Sequence, residues 1–238
     1  MLLLSGSGIA ATVSVVGGVV DLTGTGDEWT ATNSLFRQTS VNGFGSGVAT
    51  DFLTFDVTGI NTTDKKYVGT LTGTANKNFS LQKSNLMSFN MSGVTYRGFA
   101  LDVAEPGAAS KISLLLNTVK IYTAGAGDLT GAQLDASGTL IFDMDVAAGE
   151  DVSIKLEGTG SGSSDMFMFI ADSLFNGSAN PYIYLYTEVS DHDGGSSEAW
   201  AFLGGGTLAP VPIPAAVWLF GSGLVGLFSY SKRKKLAS

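Results

Sequence analysis

Cysteine is absent from the 238 residues, histidine occurs once, and charged residues make up only 14% of the chain. Without thiols there are no disulfides, thiolate zinc sites, iron–sulfur clusters or cysteine nucleophiles. Export stays open, because a chain of this length buries enough apolar surface without covalent staples. The single imidazole, His192, excludes an HExxH zinc site and any three-histidine metal centre. It lies in Asp191-His192-Asp193-Gly194-Gly195, which reads as an exposed turn, and no Gly-x-Ser-x-Gly elbow accompanies it. Bases are scarce too: 13 lysines and arginines face 21 acids, for a net charge of −8. That sign opposes binding to phosphate backbones, so nucleic acid is not an expected partner. Glycine-rich pieces such as Gly158 to Gly162 lack the Gly-Lys-Ser/Thr ending of a phosphate loop. Hydrophobic residues nevertheless reach 44%, ample for a core and unlike a solvated disordered chain.

The few bases are unevenly placed. Lys232, Arg233, Lys234 and Lys235 form one block near the end, which leaves everything before it at about −12. Just ahead of the block, Ala215 to Ser231 (AAVWLFGSGLVGLFSYS) carries no charge. A helix of that length reaches about 25 Å against a hydrocarbon layer of about 30 Å. Pro212 to Pro214 at one end and lysine snorkelling at the other make up the difference. Pro214 suits a first helical turn, and Trp218 suits a membrane interface beside Leu219, Phe220, Gly221 and Gly223. The positive-inside rule puts the four bases in the cytoplasm and the body across the membrane.

The layout of Val211-Pro212-Ile213-Pro214, one apolar helix and a basic stop resembles the PEP-CTERM sorting signal. The resemblance covers about residues 210–236, and the namesake Pro-Glu-Pro reads Pro212-Ile213-Pro214 here. It implies export by a Gram-negative bacterium and recognition by exosortase, a membrane transpeptidase. It further implies an inner-membrane-anchored precursor with a periplasmic body. The mature form would then lie at the cell surface or outside, associated with exopolysaccharide or biofilm matrix. Residues 204–210 read as a glycine-rich spacer. Residues 1–11 look like the remnant of a signal peptide: an apolar stretch, then small residues, without the basic start. The alternative is a true beginning with a first strand.

Residues 12–203 have mostly period-two hydrophobicity, which predicts one all-β domain, an antiparallel sandwich or jelly roll. Val152, Ile154 and Leu156 alternate with Ser153, Lys155 and Glu157, and Thr12–Leu22 and Val94–Val103 are among the further candidate strands. Leu140, Phe142, Met144 and Val146 would do likewise, with Asp143 and Asp145 on the opposite face. Between Lys111 and Tyr122 the apolar phase slips by one residue around Asn117-Thr118, which predicts a bulge or tight bend. Asp165 to Asn176 is the one stretch that fits either a helix or a buried strand.

Few residues invite chemistry. Tyr182, Tyr184 and Tyr186 share one strand face and offer a platform for stacking sugar rings, or else simply fill a sheet. Asp191, Asp193 and Glu198, or Asp27 and Glu28, supply oxygens for a structural calcium. The first set does not match a twelve-residue EF-hand loop, and a solvated acidic loop is the plainer reading. Paired carboxylates such as Asp143 and Asp145 are unremarkable among so many acids. The expectation is a non-enzymatic surface or matrix protein with no cofactor beyond that calcium. The alternatives are a carbohydrate-binding module using the tyrosine face and a secreted hydrolase.

Overall fold

The computed structural model of the chain describes residues 11–24, 26–42, 49–56, 64–67, 81–103, 113–127, 129, 131–157, 163–175, 182–190 and 197–204. Among them are two sheets facing one core. In the first, the order is β2 (Glu28–Ala31), β3 (Ser34–Asn42), β12 (Ser163–Ala171), β8 (Val94–Asp102), β14 (Ser197–Leu203) and β4 (Ala49–Asp56). Strand β7 (Ser88–Met91) also pairs with β8. In the second, the order is β1 (Val19–Asp21), β11 (Ser153–Glu157), β9 (Ser113–Ala124), β13 (Tyr182–Ser190) and β5 (Asp64–Tyr67). Strand β10 (Thr139–Asp143) pairs with β9, and β6 (Leu81–Gln82) with β13. The described chain is thus mostly β-sheet, as its period-two pattern predicts.

Both sheets feed one cluster. Phe36, Phe52, Phe99, Met168 and Trp200 come from the first; Leu114, Ile121, Ile154 and Ile183 come from the second. The slip expected near Asn117 is a real bulge. Glu188 pairs with Thr118 and Val189 with Leu116, which leaves Asn117 opposite no partner. Leu114 and Leu116 before it, and Val119 and Ile121 after it, are thereby all buried.

Three expectations change. The first strand is parallel to its neighbour: β1 runs alongside β11, so the domain is not purely antiparallel. The stretch Thr12–Leu22 is no single strand. It bridges the edge of one sheet at Thr12–Glu28, turns at Gly17-Gly18, where both φ values are positive, and joins the other sheet as β1. Finally, alternation from Leu140 does not continue through Val146. Asp143 ends β10 and caps helix α2 (Met144–Ala148), its carboxylate accepting from the Asp145 amide at 3.1 Å. Gly149, at φ 81°, closes that helix in the left-handed conformation, and Val146 points into solvent.

The stretch from Asp165 that fits helix or strand is β12, and the reason lies in its two sides. Met166, Met168 and Ile170 face the core, whereas Phe167 and Phe169 join a second apolar cluster with Leu35, Phe89, Ala100 and Leu203. The first sheet is therefore apolar on its outer face as well. That face is tightly packed at Gly98, where a Cβ would lie 2.6 Å from the Phe89 ring and 2.8 Å from Leu203.

Beyond β12 the chain turns through a short 3₁₀ segment, Asp172–Phe175, held by Arg97. Arg97 donates to Asp172 at 2.6 Å and to the Leu86 carbonyl at 2.6 Å, while Lys83 Nζ lies 3.4 Å from the same carboxylate. Burial alone would raise the pKa of Asp172, but the Arg97 hydrogen bond and charge, joined by Lys83, hold it below the ordinary value. A carboxyl depressed by folding adds stability above its unfolded pKa, and that contribution fades as pH falls through the folded value. Asp172→Asn is expected to cost about 1–2 kcal/mol at neutral pH, with the deficit against the parent vanishing in acid. Urea unfolding at neutral and acidic pH checks both; a deficit independent of pH would contradict this account.

Candidate functional site

The tyrosine row is where the sequence offers a ligand face, and β13 positions it. In this strand Tyr184 stands opposite Tyr122 of β9, and Tyr182 opposite Ala124. Helix α1 (Gly131–Ser137) lies over them. Its Leu134 is buried with Tyr184 and Ala124, and Tyr122, Leu129 and Tyr182 pack around the three. The helix ends at Gly138, whose amide donates to the Leu134 carbonyl at 2.6 Å, and that carbonyl leaves no room for a Cβ. Tyr184 is 0% exposed, and its hydroxyl joins two loop groups, donating to Ala126 O at 2.7 Å and accepting from Leu129 N at 3.2 Å.

A stacking platform needs open ring faces, and the central ring has none. The expected three-ring glycan surface is therefore corrected on that point. Tyr184 is a buried strut beneath α1, and Tyr186 is 8% exposed with its hydroxyl donating to Glu188. Tyr182 is half-buried and accepts from Gln82 at 3.4 Å. Sequence alternation places the rings on one face, but α1 closes over the part of it that holds Tyr182 and Tyr184. The seven-residue signal GAQLDAS is too short to read as a helix from periodicity.

The acids are also engaged in local structure. Of the proposed calcium ligands, Asp191 and Asp193 lie outside the described residues, and Glu198 is fully buried within β14. Asp27 accepts from the Gly24 amide at 3.0 Å, closing its own turn, and Glu28 accepts from Arg37 Nε at 2.8 Å. Among the described residues no group of three histidine, cysteine or acidic side chains could hold a metal. Asp143 and Asp145 both have structural partners. Asp143 bonds Lys120 at 2.9 Å and caps α2, and Asp145 accepts from the Val152 amide at 3.1 Å, tying α2 to the approach to β11. Burial raises the pKa of Asp145, opposed by the Val152 amide and reinforced by the charges of Asp143 and Asp151. The Asp143 hydrogen bond raises that of Lys120.

His192 lies outside the described residues, as do the sorting motif Val211 to Pro214, the apolar run with Trp218 to Gly223, and Lys232 to Lys235. Among the described residues no helix is long and apolar enough to cross a membrane. What sequence reading misses is the outer face of the first sheet. Its one signal is the unbroken run Met166 to Ala171, whose lack of alternation marks a strand buried on two sides.

In comparisons with protein-family models, curated proteins and solved structures, the chain matches none.

Tyr184→Phe removes the hydroxyl bridge and nothing else. It is expected to cost about 1–2 kcal/mol and to accelerate amide exchange at Leu129, read by urea unfolding and hydrogen exchange. Unchanged exchange at Leu129 would show that the loop is held by other contacts.

Proposed function

We propose that the chain is a non-enzymatic exported protein of the cell surface or extracellular matrix, with a two-sheet body delivered by a C-terminal sorting signal. One observation carries the reading: a proline motif, seventeen uncharged residues and four consecutive bases follow one another in residues 211–235. Chemistry on this chain is done to it rather than by it. Val211, Pro212, Ile213 and Pro214 present the processing site to exosortase, residues 215–231 hold it in the inner membrane, and Lys232 to Lys235 stop transfer. The arrangement of the body agrees with that division, since its last described strand, β14, ends at Leu203, directly before the glycine-rich spacer.

The finer architecture proposed is a jelly-roll-like sandwich, built on the two sheets described above. The partner class is anionic exopolysaccharide or another matrix component. A body of about −12 is repelled by such a matrix at low salt, so bridging divalent cations would carry the association. A sugar-binding module using the tyrosine row is the less supported reading, because Tyr184 is closed to solvent. A hydrolase is less supported still, because the sequence carries a single histidine, no cysteine and no Gly-x-Ser-x-Gly elbow.

Intact mass of the mature protein from an exosortase-containing host tests the assignment. A product ending near Pro212 is expected, and replacing Lys232 to Lys235 by serine should release the precursor from the inner-membrane fraction. Full-length chain free inside the cell would overturn it.

A further inference from the structure

Residues 11–22 close one side of the two-sheet body. The Glu28 amide donates to Ala11 O at 2.9 Å and the Val13 amide to Glu28 O at 2.8 Å, so the segment begins along β2 at the edge of the first sheet. Beyond Gly17-Gly18 it lines the second sheet. There the Ser153 amide donates to Gly18 O and the Leu22 amide to Lys155 O, both at 2.9 Å, on either side of the β1–β11 pairing. Val20 and Leu22 are fully buried in the shared core, and Val13 and Val15 pack against it. The segment is also tied to itself, because Val16 and Val19 exchange both backbone bonds, at 2.9 and 3.1 Å, across the two positive-φ glycines. The turn Thr23 to Asp27 then joins it to β2. In that turn the Gly24 amide donates to Asp27 Oδ2 and the Asp27 amide to Gly24 O, each at 3.0 Å, and the Gly26 amide donates to Gln38 Oε1 at 2.9 Å.

We propose that this segment is exchanged between two copies of the chain, residues 11–22 of each completing the body of the other, with Thr23 to Asp27 as the hinge. What lifting the segment uncovers selects the partner. The edge of β2, the edge of β11 and the core positions of Val20 and Leu22 all open together. An identical segment matches them in spacing and register, since its buried side chains must stand two residues apart while its backbone meets β11. Exchange reproduces every contact of the segment, so the hinge and the chain concentration set the balance with the closed monomer. Strand β1 is suited to leave: it has three residues and, among the described residues, pairs on one flank alone. Gly24 and Gly26 give the hinge the backbone freedom that straightening requires. The inference goes beyond the surface-protein reading and is independent of the C-terminal segment.

The full chain has no native cysteine, so pairs can be introduced cleanly. Val19 and Ser153 are register partners, and the strand spacing of about 4.8 Å is one that a disulfide bridges. Full chains carrying Val19→Cys alone or Ser153→Cys alone, with different affinity tags, are synthesised together in one detergent-containing translation reaction and oxidised. A disulfide-linked pair bearing both tags is expected about tenfold above a control of Val19→Cys with Ala132→Cys, which is exposed on α1. Gly24→Pro removes one donor of the closed turn and stiffens the hinge, and should raise that yield about threefold. Both cysteines in one chain report the alternative. Closure within single chains while the mixed pair stays at the control level would overturn the proposal, and so would a yield that Gly24→Pro leaves unchanged. Should Ser153→Cys misfold for want of its bond to Asn117, Asp21→Cys with Lys155→Cys gives the same readout from the same strand pair.

Discussion

Strand β12 lies between β3 and β8 with Met166, Met168 and Ile170 on one side and Phe167 and Phe169 on the other, and all five side chains are buried. A strand of this kind needs a layer against each face, whereas a two-sheet sandwich supplies only one. Much else follows from that requirement. Gly98 has no space for a Cβ because Phe89 and Leu203 close over it, and Phe89 and Phe169 meet edge to face at 5.2 Å. The charged pair Arg37–Glu28 lies at the border of the apolar area, on β3 and β2, where the guanidinium stays half-exposed.

The second sheet solves a different problem. Its long strand β9 pairs with β11 and β10 on one side and with β13 on the other, and the bulge at Asn117 lets one strand keep its apolar residues inward along its whole length. Asn117 itself is held in polar company: it donates to Ser190 at 2.8 Å and accepts from Ser153 at 3.0 Å, linking β13, β9 and β11. A residue left over by the register thus becomes a cross-strand tie.

The all-β class, the strands around Val152–Leu156 and Val94–Val103, and the slip at Asn117 were readable because each depends on local alternation. The failures share another cause. Val146 continues the period of Leu140 and Phe142, but Asp143 as a cap and Gly149 as a left-handed stop favour a helical turn over one more strand pair. The tyrosines alternate as expected, yet the environment of Tyr182 and Tyr184 is decided by α1, which lies about fifty residues earlier in the chain. The parallel pairing of β1 depends on which sheet edge is vacant, a property of topology that no local pattern carries. The apolar run in β12 was visible, but its meaning as a doubly covered strand required the neighbouring strands to be in place.

The position of β14 has a mechanical consequence. The strand that precedes the tail is interior, hydrogen-bonded to β8 on one flank and to β4 on the other. Tension applied along the strand from its C-terminal end at Leu203 loads two ladders at once in shear, instead of peeling a single edge bond by bond. An attachment made through the tail would therefore transmit pulling force into the middle of the sheet, where rupture requires many backbone bonds to fail together.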